Sequence, residues 1–157
     1  MSFNQFDVPA QTVSYATGKK TAIGIQASAH VAVKVLEAMF SFDGSTSTAT
    51  PAQCEFDNIT FATNAPGTNS TAVSPIPKSD TGRPETVQAL AAITWTTQPT
   101  VITLQWPIAV AQYNGIYHYI NPFSSPFIIA GGSNQGAGIS INSSATVNFS
   151  GKLHAEE

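Results

Sequence analysis

Apolar and polar residues alternate with a period of two along most of the chain, the pattern of β-strands whose two faces meet different surroundings. The strongest run, HVAVKVLEAMFSFDG, covers residues 30–44, where three valines share one face and Ala38, Phe40 and Phe42 share the other. The phase changes around positions 36 and 37, which predicts a β-bulge inside a long strand. A helix over the same run is the alternative, but the β-branched and aromatic content and the terminal Asp-Gly turn favour a strand.

Shorter runs of the same kind follow, separated by glycine, proline and asparagine. They are TAIGIQ (21–26), CEFDNITFAT (54–63), VQALAAITWTT (87–97), TVITLQWPIAV (100–110), IYHYI (116–120), PFIIAG (126–131), GISIN (138–142) and ATVNFSGKLHA (145–155). Many short strands with turn residues between them, and no convincing amphipathic helix, predict an all-β chain folded as a sandwich or a barrel.

Two segments stand outside this pattern. Residues 1–20 are predicted to form an extended N-terminal arm, because their few apolar residues cannot build an element with its own core. Residues 64–84 contain four prolines and no aromatic residue, which indicates a long loop. The predicted organisation is therefore an arm over residues 1–20 and one β-sandwich domain over residues 21–157.

The composition restricts the classes of partner. Charged residues make up only 10% of the chain, against about 25% in an average soluble domain. A surface of hydroxyls and amides tolerates dry contact with other proteins, because little charge has to be desolvated. The net charge is −3 and no basic stripe is present, so we expect no nucleic-acid partner. Without a signal-peptide pattern or an apolar run of roughly 18–20 residues, the chain is expected to be soluble, made in a cytoplasm and free of the membrane.

The residues that could carry catalysis do not form a recognised constellation. His30, His118 and His154 lack a second histidine at metal-ligand spacing, so each is expected to be exposed or hydrogen-bonded locally. Glu55 and Asp57 lie two apart and hence on one face of a strand, where a glycosidase pair is possible but a solvated face explains them equally well. The expectation is a protein that is not an enzyme and has no cofactor and no metal.

Two other features have simple structural interpretations. The stretch GGSNQGAGI, residues 131–139, does not match a dinucleotide fingerprint and precedes a strand, so it is interpreted as a glycine-rich turn. The single cysteine, Cys54, excludes an intrachain disulfide and is interpreted as a buried structural thiol.

The stretch YNGIYHYINPFSSPFIIAGG, residues 113–132, contains three of the four tyrosines of the chain and two phenylalanines. In strand geometry the tyrosines of IYHYI point to one face, and its two isoleucines and His118 point to the other. Both faces are then partly apolar, which suits a strand buried between two sheets or against a neighbouring subunit. The alternative is a ring-stacking surface for sugars, formed by Trp106, Tyr113, Tyr117 and Tyr119.

The order of these features resembles the small jelly-roll structural proteins of tailed bacteriophages, the capsid decoration or cement proteins. The segments that carry the resemblance are VKVLEAMFSFDGSTSTATPAQCEFDNITFAT, APGTNSTAVSPIPKSD, QPTVITLQWPIAV, YHYINPFSSPFIIAGG and GAGISINSSATVNFSGKLHAEE. They cover residues 20–157, and their ordering is more specific than any one of them. The resemblance implies a jelly-roll-like antiparallel β-sandwich with an extended N-terminal arm.

The resemblance also implies a role. It is that of a non-enzymatic virion protein that binds the outer capsid surface, bridges copies of the major capsid protein and forms a dimer or trimer with itself. The alternative function is a carbohydrate- or receptor-binding β-sandwich module of a phage fibre or tail. The residues expected at the capsid or subunit interface are Phe3, Phe6, Val8, Trp106, Tyr113, Tyr117, Tyr119, Phe123 and Phe127.

Overall fold

The computed structural model describes residues 4–43, 51–61, 69–78, 86–112, 116–120, 127–131 and 134–157, and the regular elements in them are all strands. The strands are β1 (Gln5–Tyr15), β2 (Gly18–Gln26), β3 (Val33–Phe42), β4 (Ala52–Thr60), β5 (Ser70–Val73), β6 (Ile76–Pro77), β7 (Leu90–Trp95), β8 (Thr100–Val110), β9 (Ile116–Ile120), β10 (Phe127–Ile129), β11 (Gln135–Ser143) and β12 (Val147–Glu156). The all-β prediction is confirmed.

The strands form two antiparallel sheets that pack face to face. Sheet A has the order β10-β3-β12-β1-β6, and β9 pairs with β3 on the same side as β10. Sheet B has the order β5-β7-β2-β11-β4-β8. The long strands β1 to β4 alternate between the two sheets, as do β11 and β12, so each connection crosses from one layer to the other. The predicted β-sandwich is confirmed.

The core lies between the sheets and is rich in aromatic and branched side chains. Phe149 is fully buried at its centre, with its ring centroid 5.9 Å from that of Phe40 and 6.1 Å from those of Tyr15 and Phe42. Buried side chains of this size each contribute roughly 1.5–3 kcal/mol to the free energy of unfolding. The Tyr15 hydroxyl donates a hydrogen bond of 2.8 Å to the Ala22 carbonyl, which satisfies its polar end inside the core.

The predicted bulge is present in β3. Along the β3–β12 pair, Glu37 lies opposite His154 and Val35 lies opposite Ala155, so Leu36 has no counterpart in the register. The extra residue reverses the alternation, and Val35 and Ala38 both point into the core. The strand interpretation of this run is therefore confirmed, and the phase change in its sequence is the trace of the bulge.

The first twenty residues are not an arm in the part that the structure describes. β1 pairs with β12 along most of its length and also with β6, and Phe6 and Val8 are fully buried in the core. The prediction of a separate arm is wrong for residues 5–15, because a strand with few apolar residues needs no core of its own when a neighbouring sheet supplies one. The predicted loop over residues 64–84 likewise contains β5 and β6 in its described part.

Three neighbouring glycines line part of the outer face of sheet B, and we call them the glycine floor. Gly24, Gly136 and Gly138 lie side by side on β2 and β11, and the side chains of Ile59, Phe61 and Trp95 lie on them. A Cβ atom on Gly138 would come within 2.6 Å of the Ile23 carbonyl oxygen. The glycine-rich stretch is thus partly strand rather than only a turn, and the close approach of neighbouring groups explains its glycines.

Candidate functional site

The described parts of the aromatic stretch, β9 and β10, form an edge of sheet A, where they lie end to end along β3. The register places Tyr117 opposite Phe40 and Tyr119 opposite Ala38, and Phe127 opposite Val35. Since Phe40, Ala38 and Val35 are core residues, these aromatic rings lie on the core side of the edge.

Contacts with the core fix the inner side of this edge. The Tyr117 ring lies 5.2 Å from Phe40 between centroids, and the Phe127 ring meets Phe56 of the opposite sheet edge-on at 4.9 Å. Tyr119 lines a small hollow between β3 and Phe56 whose volume, about 10 Å³, is the room of a single water. These rings therefore close the end of the sandwich, and the hollow beside them is too small for a sugar ring.

The outer side of the same edge carries exposed isoleucines. Ile116, Ile120 and Ile128 expose 77%, 61% and 60% of their surface, although isoleucine is among the most often buried residues. His118 lies between the first two, and its Nε2 atom is 3.2 Å from Oε2 of Glu37 on β3. We call these four residues, Ile116, His118, Ile120 and Ile128, the edge strip. Apolar groups that cluster on one edge of a low-charge sandwich are typical of a contact surface.

The residues of the edge strip other than His118 are not singled out by composition or motif. Alternation along β9 does place Ile116 and Ile120 on the face opposite the tyrosines. It does not say which face meets the second sheet, because both faces are partly apolar. Only the packing of Tyr117 on Phe40 decides that the isoleucines are outside.

The residues predicted for an interface are dispersed in the structure. Tyr117, Tyr119 and Phe127 come together at the edge, on its core side. Phe6 and Val8, which were predicted for the interface, lie fully buried inside the core of the chain itself. Phe3, Tyr113 and Phe123 fall outside the described residues, as does the side chain of Trp106 on β8.

Asp7 of sheet A lies in a small cluster of ion pairs. His154 Nδ1 is 2.9 Å from an Asp7 carboxylate oxygen, and Lys78 and Lys152 lie 3.0 Å and 3.6 Å from the other oxygen. Burial raises the pKa of Asp7, but Lys78, His154 and Lys152 together hold it below its ordinary value. The expectation that the histidines are exposed or hydrogen-bonded locally fits His118 and His154.

The acidic pair lies on the outer face of sheet B. Glu55 contacts Lys19 in an ion pair, and the same Lys19 ammonium is 3.9 Å from Asp57. Asp57 is fully buried, and neither of its oxygens has a hydrogen-bond partner among the described residues. Burial raises the pKa of Asp57, and the neighbouring Ser140 hydroxyl and Lys19 lower it by less. A carboxylate with no exposed surface cannot meet a sugar, so the pair gives no support to glycoside hydrolysis.

Asp57→Asn is expected to flatten the pH dependence of stability. Because the pKa of Asp57 is higher in the folded chain than in the unfolded one, its contribution is fully present below the unfolded pKa. That contribution is lost as pH rises through the folded pKa. Urea unfolding at about pH 4 and pH 7 should show the variant gaining roughly 1–3 kcal/mol over the wild type at the higher pH.

Asp7→Asn provides the control of opposite sign. The pKa of Asp7 is lowered by folding, so its contribution is lost as pH falls through the folded pKa, and this variant should lose stability relative to the wild type as pH rises through the acid range to about pH 5. If stability changed equally with pH in Asp57→Asn and in the wild type, Asp57 would not be a carboxylate whose ionisation destabilises the folded chain.

The one thiol is a structural group. Cys54 is fully buried on the core side of β4. Burial, with a smaller contribution from Glu55, raises its pKa to about 12, so the thiol stays protonated at neutral pH. The interpretation as a buried structural thiol is confirmed.

The described residues contain no group of three or more His, Cys, Asp or Glu side chains positioned to hold a metal ion. Within the same residues, no helix has the length and hydropathy that a membrane crossing requires. Comparisons with protein-family models, with curated proteins and with solved structures found no match for this chain.

Proposed function

We propose that this chain is a phage virion structural protein, a capsid decoration or cement protein that binds the outer capsid surface. Its partner is the major capsid protein, and its place is the surface of the virion. A protein that binds only the assembled shell stabilises the head by mass action, because rupture of the shell would release it.

The order of the strands supports the jelly-roll part of this proposal. Sheet A contains the sequence β9-β3-β12-β1, and sheet B contains β8-β4-β11-β2. Successive strands thus nest around one another, with the outermost pair of the chain, β1 and β12, adjacent at the centre of sheet A. Two interlocked Greek keys give this order, and jelly rolls of this kind occur in viral capsid proteins.

The observation that carries the proposed role is the edge strip. Exposed isoleucines on a sandwich with so few charges favour contact with another protein surface, since burying them needs little desolvation of charge. The tyrosines of the same edge face the core, so the geometry favours assembly over a sugar-stacking surface. That the other surface is a capsid is what the resemblance described above implies.

The copy number of the chain in purified particles tests this function. Quantitative mass spectrometry should give a ratio to the major capsid protein of one, or of a simple fraction. Absence from the particles would overturn the proposal. A few copies per particle would also overturn it and favour a receptor-binding protein of the fibre or tail.

Ile128→Lys is expected to weaken particle binding by at least about tenfold, because a buried ammonium replaces an apolar contact. Leu104→Lys is the matched control, since Leu104 is an exposed apolar residue on β8 at the edge of the other sheet. Both variants should be folded. Co-sedimentation with particles from which this chain has been removed measures the difference in their binding. Equal binding by the two variants would remove the edge strip from the capsid contact.

A further inference from the structure

The strand β9 reads the same in both directions. Its sequence is Ile-Tyr-His-Tyr-Ile, centred on His118. If two copies of β9 pair antiparallel about a twofold axis through His118, residue i lies opposite residue 236 − i of the other copy. Ile116 then faces Ile120 of the second copy, Tyr117 faces Tyr119, and His118 faces itself. Every position meets a side chain of its own kind.

We propose that β9 is a dimerisation edge, at which sheet A continues through β9 of a second copy of this chain. Opposite residues of an antiparallel pair have Cβ atoms about 4.5–5.5 Å apart on the same face. Ile116 of each copy would therefore cover Ile120 of the other copy. Paired aromatic and β-branched residues are among the favourable cross-strand combinations.

The other edges of the two sheets are less suited to this pairing. β8 is long, but it contains Pro107 and two register irregularities against β4. β6 spans two residues and ends in Pro77, and β5 is short with a register shift of its own. Proline, bulges and short length are the usual means by which sheet edges avoid pairing. Among the described edges, β9 combines a regular five-residue register with exposed apolar side chains.

Charge does not oppose the twofold arrangement. At the axis each His118 imidazole stays 3.2 Å from the Glu37 carboxylate of its own copy. Lys34 on β3 lies opposite Ile128 of β10 and is paired with Glu156 at 2.7 Å. The five residues of β9 include no Lys, Arg, Asp or Glu, so these charges do not face each other across the pair.

The inference rests on the proposed function only in treating this edge as an assembly surface, and it deepens that function by naming a second copy as a partner. Ile128 on β10 lies outside the five paired positions of β9. Solution measurements on the purified chain alone test the dimer, whereas particle binding tests the function, so the two can fail separately.

Charge swaps in β9 test the register. The doubly substituted Ile116→Lys/Ile120→Lys chain places ammonium groups opposite each other twice. The midpoint concentration, at which half of the chains are dimeric, should therefore rise by at least about tenfold. Ile116→Glu/Ile120→Lys places opposite charges across the same pairs and a cation opposite Glu37, and it should return the midpoint concentration to within about threefold of the wild type. Both substituted side chains are exposed, so the free energy of unfolding of the monomer should change little.

Analytical ultracentrifugation of the full chain, from about 1 µM to about 1 mM, measures these midpoints. A cross-link gives the register directly: His118→Cys should form an intermolecular disulfide on oxidation. Ile116→Cys should not, because its two copies would be about 13 Å apart. The wild type is the background, since its Cys54 is buried. A monomer throughout, equal midpoints for the two double variants, or cross-linking through position 116 would each overturn the proposal.

Discussion

Deletion of residues 1–15 is expected to leave a chain that does not fold. The deletion removes β1, and with it both Phe6 and Val8 from the core and the strand that pairs with β12. Loss of a single buried phenylalanine side chain costs about 3–5 kcal/mol, against a total stability of about 5–15 kcal/mol for a domain. The unpaired β12 would add exposed backbone groups to this loss. Far-UV circular dichroism and cooperative urea unfolding measure the outcome.

Point variants in the same strand separate packing from the mere loss of chain. Phe6→Ala should lower the free energy of unfolding by about 3–5 kcal/mol. Gln11→Ala, at an exposed position of β1, should change it by less than about 0.5 kcal/mol. A truncated chain that unfolds cooperatively with wild-type stability would instead support an extended N-terminal arm over residues 1–20.

Gly136→Ala is expected to destabilise the chain by about 3 kcal/mol or more, at the upper end of the range for overpacking. A methyl group at this position would overlap the Ile25 carbonyl oxygen and the ring of Phe61. The carbonyl belongs to the backbone of the paired strand β2, so the chain cannot relieve the overlap by changing a rotamer. The sheet would have to separate locally, and urea unfolding measures the cost.

The neighbouring glycines and one exposed residue provide a graded series for this experiment. Gly138→Ala approaches a backbone oxygen at 2.6 Å and should be severe, while Gly24→Ala meets only side chains, at 3.1 Å, and should be milder. Asn142→Ala, at an exposed position of the same β11 strand, should be close to neutral. A Gly136→Ala chain as stable as the wild type would mean that Phe61 does not lie on this glycine.

The edge strip and the glycine floor belong to opposite faces of the sandwich and have different consequences. The glycine floor lets Ile59, Phe61 and Trp95 cover the part of the outer face of sheet B that the three glycines form. At the edge strip, isoleucines remain exposed beside a regular strand edge. Assembly, with a second copy or with a capsid, is therefore expected at the β9–β10 edge of sheet A.

Local sequence patterns are enough to predict the class of the fold and several details of single strands. Alternation with a period of two, broken by glycine, proline and asparagine, predicts antiparallel strands because each strand face reports its own surroundings. The phase change in residues 30–44 located the bulge at Leu36, since one extra residue reverses which side chains are buried. The same local reasoning predicted that Glu55 and Asp57 share one face and that the Cys54 thiol is buried, but its expectation of a solvated face is wrong for Asp57, which is fully buried.

Which elements meet depends on contacts between distant parts of the chain. Residues 5–15 look like an arm in the sequence because their partner, β12, lies some 140 positions further along the chain, and no local pattern reports a pairing over that separation. The glycines of β11 look like a turn until the Phe61 ring and the Ile25 carbonyl are seen to occupy their Cβ positions. The sequence also does not determine which face of β9 points outward. Both its faces are partly apolar, and it is the packing of Tyr117 on Phe40 that exposes the isoleucines.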